Sequence, residues 1–192
     1  MREISSLSTS RLTLRKMEIN DAAILYKYWS DNSVTRHMNI NSFTDIVQAE
    51  QMISFLNGLS DEGKLIRWTI INRSDGLIVG SCGYNSFSIE NLRGEIGYEL
   101  GREFWGQGLM TEALTVIIKY GFSTIGLNRI QALVEKGNIA SQKLLAKLGF
   151  QQDGLLREYE VSKGVPVDLF IYSLIKRDLE KSTIKTTGPL YL

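Results

Sequence analysis

A glycine-rich segment at the predicted start of a helix carries the strongest chemical signal in this 192-residue sequence. It reads Phe104-Trp105-Gly106-Gln107-Gly108-Leu109-Met110-Thr111-Glu112-Ala113. The first turn of a helix leaves about four backbone N–H groups without intrahelical partners, and together with the helix dipole these groups attract a phosphate. Glycines let the backbone approach such a ligand because they carry no Cβ. The predicted contact residues are Trp105, Gly106, Gln107, Gly108, Leu109, Met110 and Thr111.

Other interpretations of the two glycines make different demands on the neighbouring sequence. A Walker-type nucleotide loop would have Lys-Ser or Lys-Thr after the second glycine, where this sequence has Leu109-Met110. A dinucleotide fold would need a third glycine and repeated strand–helix–strand units, and the sequence shows neither. A tight strand-to-helix turn without any ligand remains an alternative on these residues alone.

Carboxylates on two predicted strands are candidates for a general base. Glu95 and Glu99 share one face of the strand before the glycine loop, because side chains alternate along a strand. Glu158 and Glu160 lie in a later strand. A carboxylate enclosed in a cleft can accept a proton through a water molecule. Glu95 and Glu158 are the preferred candidates, and ordinary surface carboxylates are the alternative for each of the four.

The composition narrows the classes of function. With 22 basic and 21 acidic residues the net charge is +1, which predicts neither direct nucleic-acid binding nor membrane binding. One cysteine, Cys82, excludes an intramolecular disulfide, and with one histidine, His37, it leaves almost no ligands for a metal site. No signal peptide and no run of about 20 apolar residues is visible. These features predict a cytoplasmic protein that needs no metal.

The elements that must position these residues follow from hydrophobic periodicity and from turn residues. Strands are predicted over residues 11–15, 67–71, 77–84, 93–100, 129–134, 155–161 and 167–175. Helices are predicted after the capping pairs Asn20-Asp21 and Thr44-Asp45, over residues 108–123, and around residues 140–148, where Gly149 ends the helix.

The predicted order, β-α-α-β-β-β-α-β-α-β-β, indicates a mixed α/β sheet with helices on both faces. A strand, a helix and a strand in the middle of the chain imply one parallel pair joined by a crossover, within an otherwise antiparallel sheet. The length fits a single domain over residues 1–180, followed by a loosely held tail over residues 181–192.

Several blocks in the same order resemble the GNAT superfamily of N-acetyltransferases, and most closely its RimJ/RimL-like branch. The blocks are residues 31–38, 95–100, 104–113, 138–150, 156–158 and 167–174. The resemblance extends from Arg11 to about Asp178. It implies the GNAT fold, an α+β arrangement in which a mostly antiparallel sheet of six to seven strands contains a splayed central parallel pair. It also implies acetyl-CoA as the cofactor, coenzyme A as a product, and no metal.

The resemblance assigns roles to individual residues. The backbone around Glu99, Leu100 and Gly101 would pair with the pantetheine arm and polarise the thioester carbonyl. Asn138 would hydrogen-bond the cofactor, and Ser141 would donate a proton to the departing thiolate. Purely structural roles, as a helix cap for Asn138 and as a helix-turn serine for Ser141, are the alternatives.

Three further positions are informative in the light of the resemblance. Many relatives have a tyrosine as the proton donor where this sequence has Leu145. Glu103 occupies a place where the superfamily usually has Gln or Arg, so the backbone would have to carry most of the diphosphate binding. The residues expected to line the acceptor cleft are Arg36, His37 and Met38.

The predicted reaction is transfer of the acetyl group from acetyl-CoA to a primary amine by direct attack, with a protein N-terminal amine of the ribosomal type as the expected acceptor. An α-amine has a pKa near 8, so roughly a tenth of it is neutral at pH 7, whereas a lysine amine near 10.4 needs more help. A small amine, such as a polyamine or an antibiotic, and a non-catalytic acyl-CoA-binding module are the alternatives. A monomer and a homodimer are both compatible with the resemblance.

Overall fold

The computed structural model describes residues 5–181, and the eight strands within that range form one mixed sheet. The strands are β1 (Leu7–Ser8), β2 (Leu12–Lys16), β3 (Ile66–Asn72), β4 (Ile78–Ser88), β5 (Arg93–Leu100), β6 (Arg129–Glu135), β7 (Gln151–Ser162) and β8 (Val165–Ile175). Their order across the sheet is β1-β2-β3-β4-β5-β6-β8-β7. The predicted fold class is confirmed. The described sheet has one strand more than expected because β1 pairs with β2.

The helices within residues 5–181 are α1 (Ala22–Trp29), α2 (Asn32–Thr35), α3 (Ile46–Asp61), α4 (Leu109–Tyr120), α5 (Ile139–Lys147) and α6 (Lys176–Lys181). The predicted cap of α3 is confirmed, because the Asp45 carboxylate accepts a hydrogen bond from the backbone N–H of Val47 at 2.8 Å. Gly149 has the expected left-handed conformation after α5, with φ +87°. In the described part of the chain, no helix combines the length and apolarity needed to cross a membrane. Of the predicted tail, residues 182–192 lie outside the described residues.

Asp21 departs from its predicted role as a helix cap. It directly precedes α1, but its side chain makes no capping bond to that helix. The buried carboxylate instead accepts hydrogen bonds from the Arg15 guanidinium at 2.6 and 2.9 Å and from the Thr69 hydroxyl at 2.6 Å. Asp21 therefore links the start of the helical layer to β2 and β3.

Two hydrophobic clusters, one on each face of the sheet, form the core. The larger cluster joins α4 and α5 to alternating residues of the strands, such as Leu12 and Leu14 of β2. The smaller cluster joins α1 and α3, through residues such as Leu25 and Ile53, to Met17 and Ile78. The expectation of helices on both faces is therefore confirmed.

The parallel neighbours β5 and β6 separate after a short paired stretch. Their register runs through Arg93 and Arg129, Gly94 and Ile130, and Glu95 and Gln131, and it ends there. Every other neighbouring pair in the described sheet is antiparallel. Beyond Glu95 the rest of β5 follows β4, while β6 follows β8. A notch therefore opens between β5 and β6, with the start of α4 at the end of β5.

Candidate active site

A cleft of about 810 Å³ occupies the notch between β5 and β6. Its walls come from the segment between α1 and α3, from the glycine loop, and from the first turns of α5. The predicted site residues that line it are His37, Met38, Glu95, Glu99, Leu100, Trp105, Gly106, Gly108, Leu109, Met110, Thr111, Asn138 and Ser141. Elements that are distant in the chain therefore bring most of the predicted residues to one place.

The glycine loop turns sharply into α4. Gly106 and Gly108 have φ values of +74° and +76°, in the left-handed region that favours glycine. Gly108 occupies the N-cap position and offers no side-chain acceptor to the first turn of α4. The N–H groups of that turn are therefore available to a ligand, as the sequence predicts for an anion site.

Hydrogen bonds hold the loop in this shape. The Trp105 indole donates to the carbonyl of Leu100 at 2.9 Å, and the Gln107 amide donates to the carbonyl of Glu103 at 2.8 Å. The Arg11 guanidinium donates to the carbonyl of Gln107 at 3.0 Å. Gln107 is therefore held by its neighbours and does not line the cleft.

An acidic residue in the first turn of α4 would oppose the binding of a diphosphate, and Glu112 occupies such a place. Its carboxylate is paired with the Arg11 guanidinium at 2.6 Å and also accepts hydrogen bonds from Thr9 and Ser10. Although burial acts in the opposite direction, bonds from Thr9 and Arg11 lower the pKa of Glu112. Arg11 therefore compensates for this charge and also fixes the loop beside it.

The start of α5 presents polar groups to the cleft. The Asn138 amide oxygen accepts a hydrogen bond from the backbone N–H of Ser141 at 3.1 Å, so Asn138 caps the helix. The Ser141 Oγ lies 2.5 Å from the hydroxyl oxygen of Tyr98 on β5. Burial raises the pKa of Tyr98 to about 12. This pair places two hydroxyl groups beside the notch.

The four candidate carboxylates have very different environments. Glu95 is half-buried in the cleft, where it accepts a hydrogen bond from the Gln131 amide at 3.2 Å. Burial raises its pKa, and the negative charge of Glu160 raises it further. Glu160 also lines the cleft and accepts a hydrogen bond from Asn39 at 2.6 Å. Two neighbouring carboxylates therefore lie beside the segment with His37 and Met38, the predicted acceptor residues, and we call this part of the cleft the acceptor half.

Glu99 and Glu158 do not resemble this pair. Glu99 is buried and is paired with the Arg67 guanidinium, and it also accepts hydrogen bonds from Ser81 and Trp29. The positive charge of Arg67 therefore compensates the negative charge of Glu99. Glu158 is exposed, has a φ of +49°, and lies outside the cleft, because the register of β7 against β8 shifts between Leu156 and Glu160.

The wall of the cleft at His37 and Met38, which we call the acceptor wall because these residues are the predicted acceptor contacts, combines apolar side chains with hydrogen-bonded polar ones. Met38, which lies between α2 and α3, and Met52 of α3 line it. The His37 Nδ1 lies 2.7 Å from a carboxylate oxygen of Glu135 at the end of β6. Arg36 is exposed and outside the cleft, where its backbone carbonyl accepts a hydrogen bond from Lys163.

The family follows from comparison with known proteins. Residues 11–151 match the Acetyltransferase (GNAT) domain. Over 175 residues the chain is 50% identical to the N-acetyltransferase p20 of Bacillus licheniformis, an alignment that covers 91% of this chain and 98% of the relative. The chain belongs to the GNAT family. It is an acetyl-CoA-dependent N-acetyltransferase.

Two further relatives of this acetyltransferase extend the comparison. It is 28% identical over 172 residues to the ribosomal protein uS5-alanine N-acetyltransferase of Escherichia coli, covering 82% of this chain and 84% of the relative. It shares its fold with the self-immunity acetyltransferase MccE, solved in complex with acetyl-CoA and AMP. That match has a TM-score of 0.79 and 26% identity, and it covers 87% of this chain and 93% of the other. The resemblance to the ribosomal-protein branch is therefore supported by a relative of that activity.

Sequence reasoning missed Tyr98 as a residue of the cleft, and it preferred Glu158 to Glu160 although only Glu160 lines the cleft. Strand alternation groups Tyr98 with Ile96 and Leu100 on the apolar face of β5, and it does not show that the Tyr98 hydroxyl reaches α5. Periodicity also gives no reason to prefer Glu160 over Glu158, because a strand without a bulge keeps both residues on one face. Gly101 does not line the cleft but packs against the Tyr28 ring.

Proposed function

We propose that this acetyltransferase transfers the acetyl group to the N-terminal α-amine of a protein, and that a ribosomal protein in the cytoplasm is its acceptor. One observation carries the proposal most directly. Glu95, whose pKa is raised, lines the same cleft as apolar side chains such as Met38 and Met52, while the carboxylate of Glu99 on the same strand is compensated by Arg67. Such a cleft suits a single amine attached to an apolar or small residue. The relative that acetylates the alanine of ribosomal protein uS5 supports this acceptor class.

The residues present fit acetyl-CoA. When it is bound, this cofactor supplies an acetyl group activated as a thioester. The N–H groups at the start of α4 and the loop glycines would hold its diphosphate. The edge of β5 from Glu99 to Leu100, which has no register with β6, would pair with its amide-containing arm. Lys143 and Lys147 of α5 also line the cleft and offer positive charge, which offsets the acidic Glu103 beside the loop.

In the proposed reaction the two faces of β5 serve the two reaction partners. Glu95 lies on the same face of β5 as Glu99, which accepts a hydrogen bond from Trp29 of α1. The amine acceptor would bind on this face, and Glu95 would receive its proton directly or through water. A carbon–nitrogen bond forms, the carbon–sulfur bond breaks, and its electron pair goes to the sulfur. Ser141, reached by Tyr98 on the opposite face, donates a hydrogen bond to that sulfur. Asn138 orients the first turn of α5 by capping it.

The acceptor half of the cleft argues against a polyamine. A polycation requires several uncompensated carboxylates, and the sequence offered four candidates. Of these, Glu99 is paired with Arg67 and Glu158 lies outside the cleft. The remaining pair, Glu95 and Glu160, can accept one proton and orient one ammonium group. A single α-amine therefore fits better than a molecule with several charged amines.

The test is an assay of thiol release from acetyl-CoA with three matched acceptors. The first is a peptide with the N-terminal sequence of a ribosomal protein and a free α-amine. The second is the same peptide with a blocked N-terminus and a free lysine, and the third is spermidine. We expect kcat/KM to be at least about tenfold higher for the free α-amine, with the modified atom identified by mass spectrometry. A higher kcat/KM for the lysine peptide or for spermidine would contradict the proposal.

A further inference from the structure

Tyr98 and Ser141 form a hydroxyl pair inside the cleft, although they come from different elements. Tyr98 lies on β5, beyond the point at which β5 and β6 stop pairing. Ser141 lies in the first turn of α5 and is 43 residues away in the chain. Their oxygen atoms are 2.5 Å apart, and both residues line the cleft. The pair therefore joins the strand that borders the notch to the helix that faces it.

The chemistry of the two hydroxyl groups gives this hydrogen bond a preferred direction. Each hydroxyl can donate one proton and accept others. The phenol is the more acidic of the two, so it is the better donor, and Ser141 is then the acceptor. A serine that accepts from Tyr98 keeps its own proton for a third group. Hydrogen bonds in such a chain strengthen one another.

The residue at position 145 shows why the pair of hydroxyl groups matters for the reaction. Leu145 occupies the place at which the resemblance leads us to expect a tyrosine donor, and it is completely buried in the core. It offers no donor to the cleft. Ser141, one turn earlier in α5, does reach the cleft, and its hydroxyl is held by Tyr98.

We propose that Tyr98 is a positioning residue, which fixes the Ser141 hydroxyl so that its proton points at the departing sulfur of the cofactor. This inference rests on the proposed function, because it assigns a role within the same transfer reaction. Tyr98 acts through Ser141 and does not itself have to touch the sulfur. The phenol side chain thus restores, from the neighbouring strand, a donor that α5 lacks at position 145.

The phenol keeps its proton during this reaction. A free thiol has a pKa of about 8.5, whereas burial raises the pKa of Tyr98 to about 12. The thiolate is therefore too weak a base to remove the phenolic proton. The pair consequently works as a fixed hydrogen-bond donor, and this donor is lost only when the pH approaches the raised pKa of the phenol.

The test is a double-mutant cycle of Tyr98→Phe and Ser141→Ala, measured as kcat at saturating concentrations of both substrates. We expect Tyr98→Phe to lower kcat about tenfold, with both KM values and the Kd of coenzyme A changed by less than about twofold. Ser141→Ala should lower kcat at least as much. Because Tyr98 acts through Ser141, the double variant should be no slower than Ser141→Ala.

Tyr172→Phe is the matched control, because the Tyr172 hydroxyl also donates a hydrogen bond to a side chain, that of Gln152 at 3.0 Å, but does not line the cleft. Its kcat should equal that of the wild type. Thermal unfolding of each variant separates loss of fold from loss of the hydroxyl. Retention of wild-type kcat by Tyr98→Phe, or multiplicative losses in the double variant, would overturn the inference. Absence of turnover in the wild type with any amine would instead contradict the proposed function.

Discussion

At the scale of single residues, Glu95 and Glu160 are neighbours in the cleft with different surroundings. Glu95 is held by Gln131, and both burial and the charge of Glu160 raise its pKa. Glu160 accepts a hydrogen bond from the exposed Asn39. A carboxylate with a raised pKa holds a proton more tightly than an ordinary glutamate does. We therefore propose Glu95 as the general base.

Glu95→Gln should lower kcat/KM for the α-amine acceptor about 10²–10³-fold, because the amide cannot accept the proton. Its stability at neutral pH should be equal to or higher than that of the wild type. A raised pKa means that the folded state favours the neutral carboxyl, so the charge destabilises the fold as the pH rises through that pKa, and the amide removes this cost. Steady-state kinetics and thermal unfolding measure both effects. Glu158→Gln is the control, since Glu158 lies outside the cleft. An equal loss in both variants would contradict the assignment.

The charge of Glu160 makes a separate prediction about pH. Activity should fall as the pH drops through the pKa of Glu95, at a pH above the ordinary range of a glutamate. Glu160→Gln removes a negative charge that raises this pKa, so the acid limb of kcat/KM should move to lower pH. A pH profile of kcat/KM from each variant measures the shift. An unchanged acid limb would show that a different group is titrating.

At the scale of elements, the glycine loop and α4 act as one unit. The left-handed backbone at Gly106 and Gly108 gives the loop its shape. In the first turn of α4, the ion pair with Arg11 compensates the negative charge of Glu112. A Cβ atom added at Gly108 would lie 3.6 Å from the guanidinium of Arg11. A larger side chain would strain the backbone and also press on the residue that holds the loop.

Gly108→Val should weaken the binding of acetyl-CoA by at least about tenfold, because the N–H groups at the start of α4 would no longer point at one ligand. Isothermal titration calorimetry with acetyl-CoA measures this loss. Gly76→Val is the matched control, because Gly76 has a similar φ of +74° in a turn where an added Cβ would meet no atom within 4 Å. It should strain the backbone equally and leave acetyl-CoA binding intact. Unimpaired binding by Gly108→Val would contradict the assignment of the loop.

At the scale of the whole molecule, Asp21 ties the helical layer to the sheet. It accepts hydrogen bonds from Arg15 of β2 and Thr69 of β3, and from the backbone of Glu18 at 2.9 Å. Although burial favours the neutral form, these bonds lower its pKa overall. The helices above this link also contribute the acceptor wall. A substitution of Asp21 should therefore affect both the stability of the fold and the shape of the cleft.

Asp21→Asn should lower the free energy of unfolding by about 3 kcal/mol, because it leaves the Arg15 guanidinium without its buried partner. The wild-type contribution is present above the ordinary pKa of an aspartate and is lost as the pH falls through the lowered pKa, so the difference between the proteins should shrink in acid. Urea unfolding at several pH values measures it. Asp61→Asn is the control, since the exposed pair of Lys16 and Asp61 should contribute less than about 1 kcal/mol. Equal effects of the two substitutions would contradict the role given to Asp21.

The sequence by itself determined the features that depend on local backbone chemistry. Hydrophobic alternation and capping residues predicted the order of elements, and Asp45 caps α3 as its type requires. The glycines at 106 and 108 predicted a sharp turn into a helix, because a left-handed backbone and an uncapped helix start are properties of a few adjacent residues. The blocks that resemble the GNAT superfamily then pointed to the cofactor.

Tertiary structure decided which side chains meet. Arg67 compensates Glu99 across 32 residues, and Tyr98 reaches Ser141 across 43. The register shift in β7 brings Glu160 to the cleft and leaves Glu158 outside. These outcomes depend on strand register and on the packing of distant elements, and one-dimensional periodicity carries no information about either. Local sequence therefore predicted the binding site for the acetyl donor, while the fold decided which residues stand as the proposed acid, the proposed base and the acceptor wall.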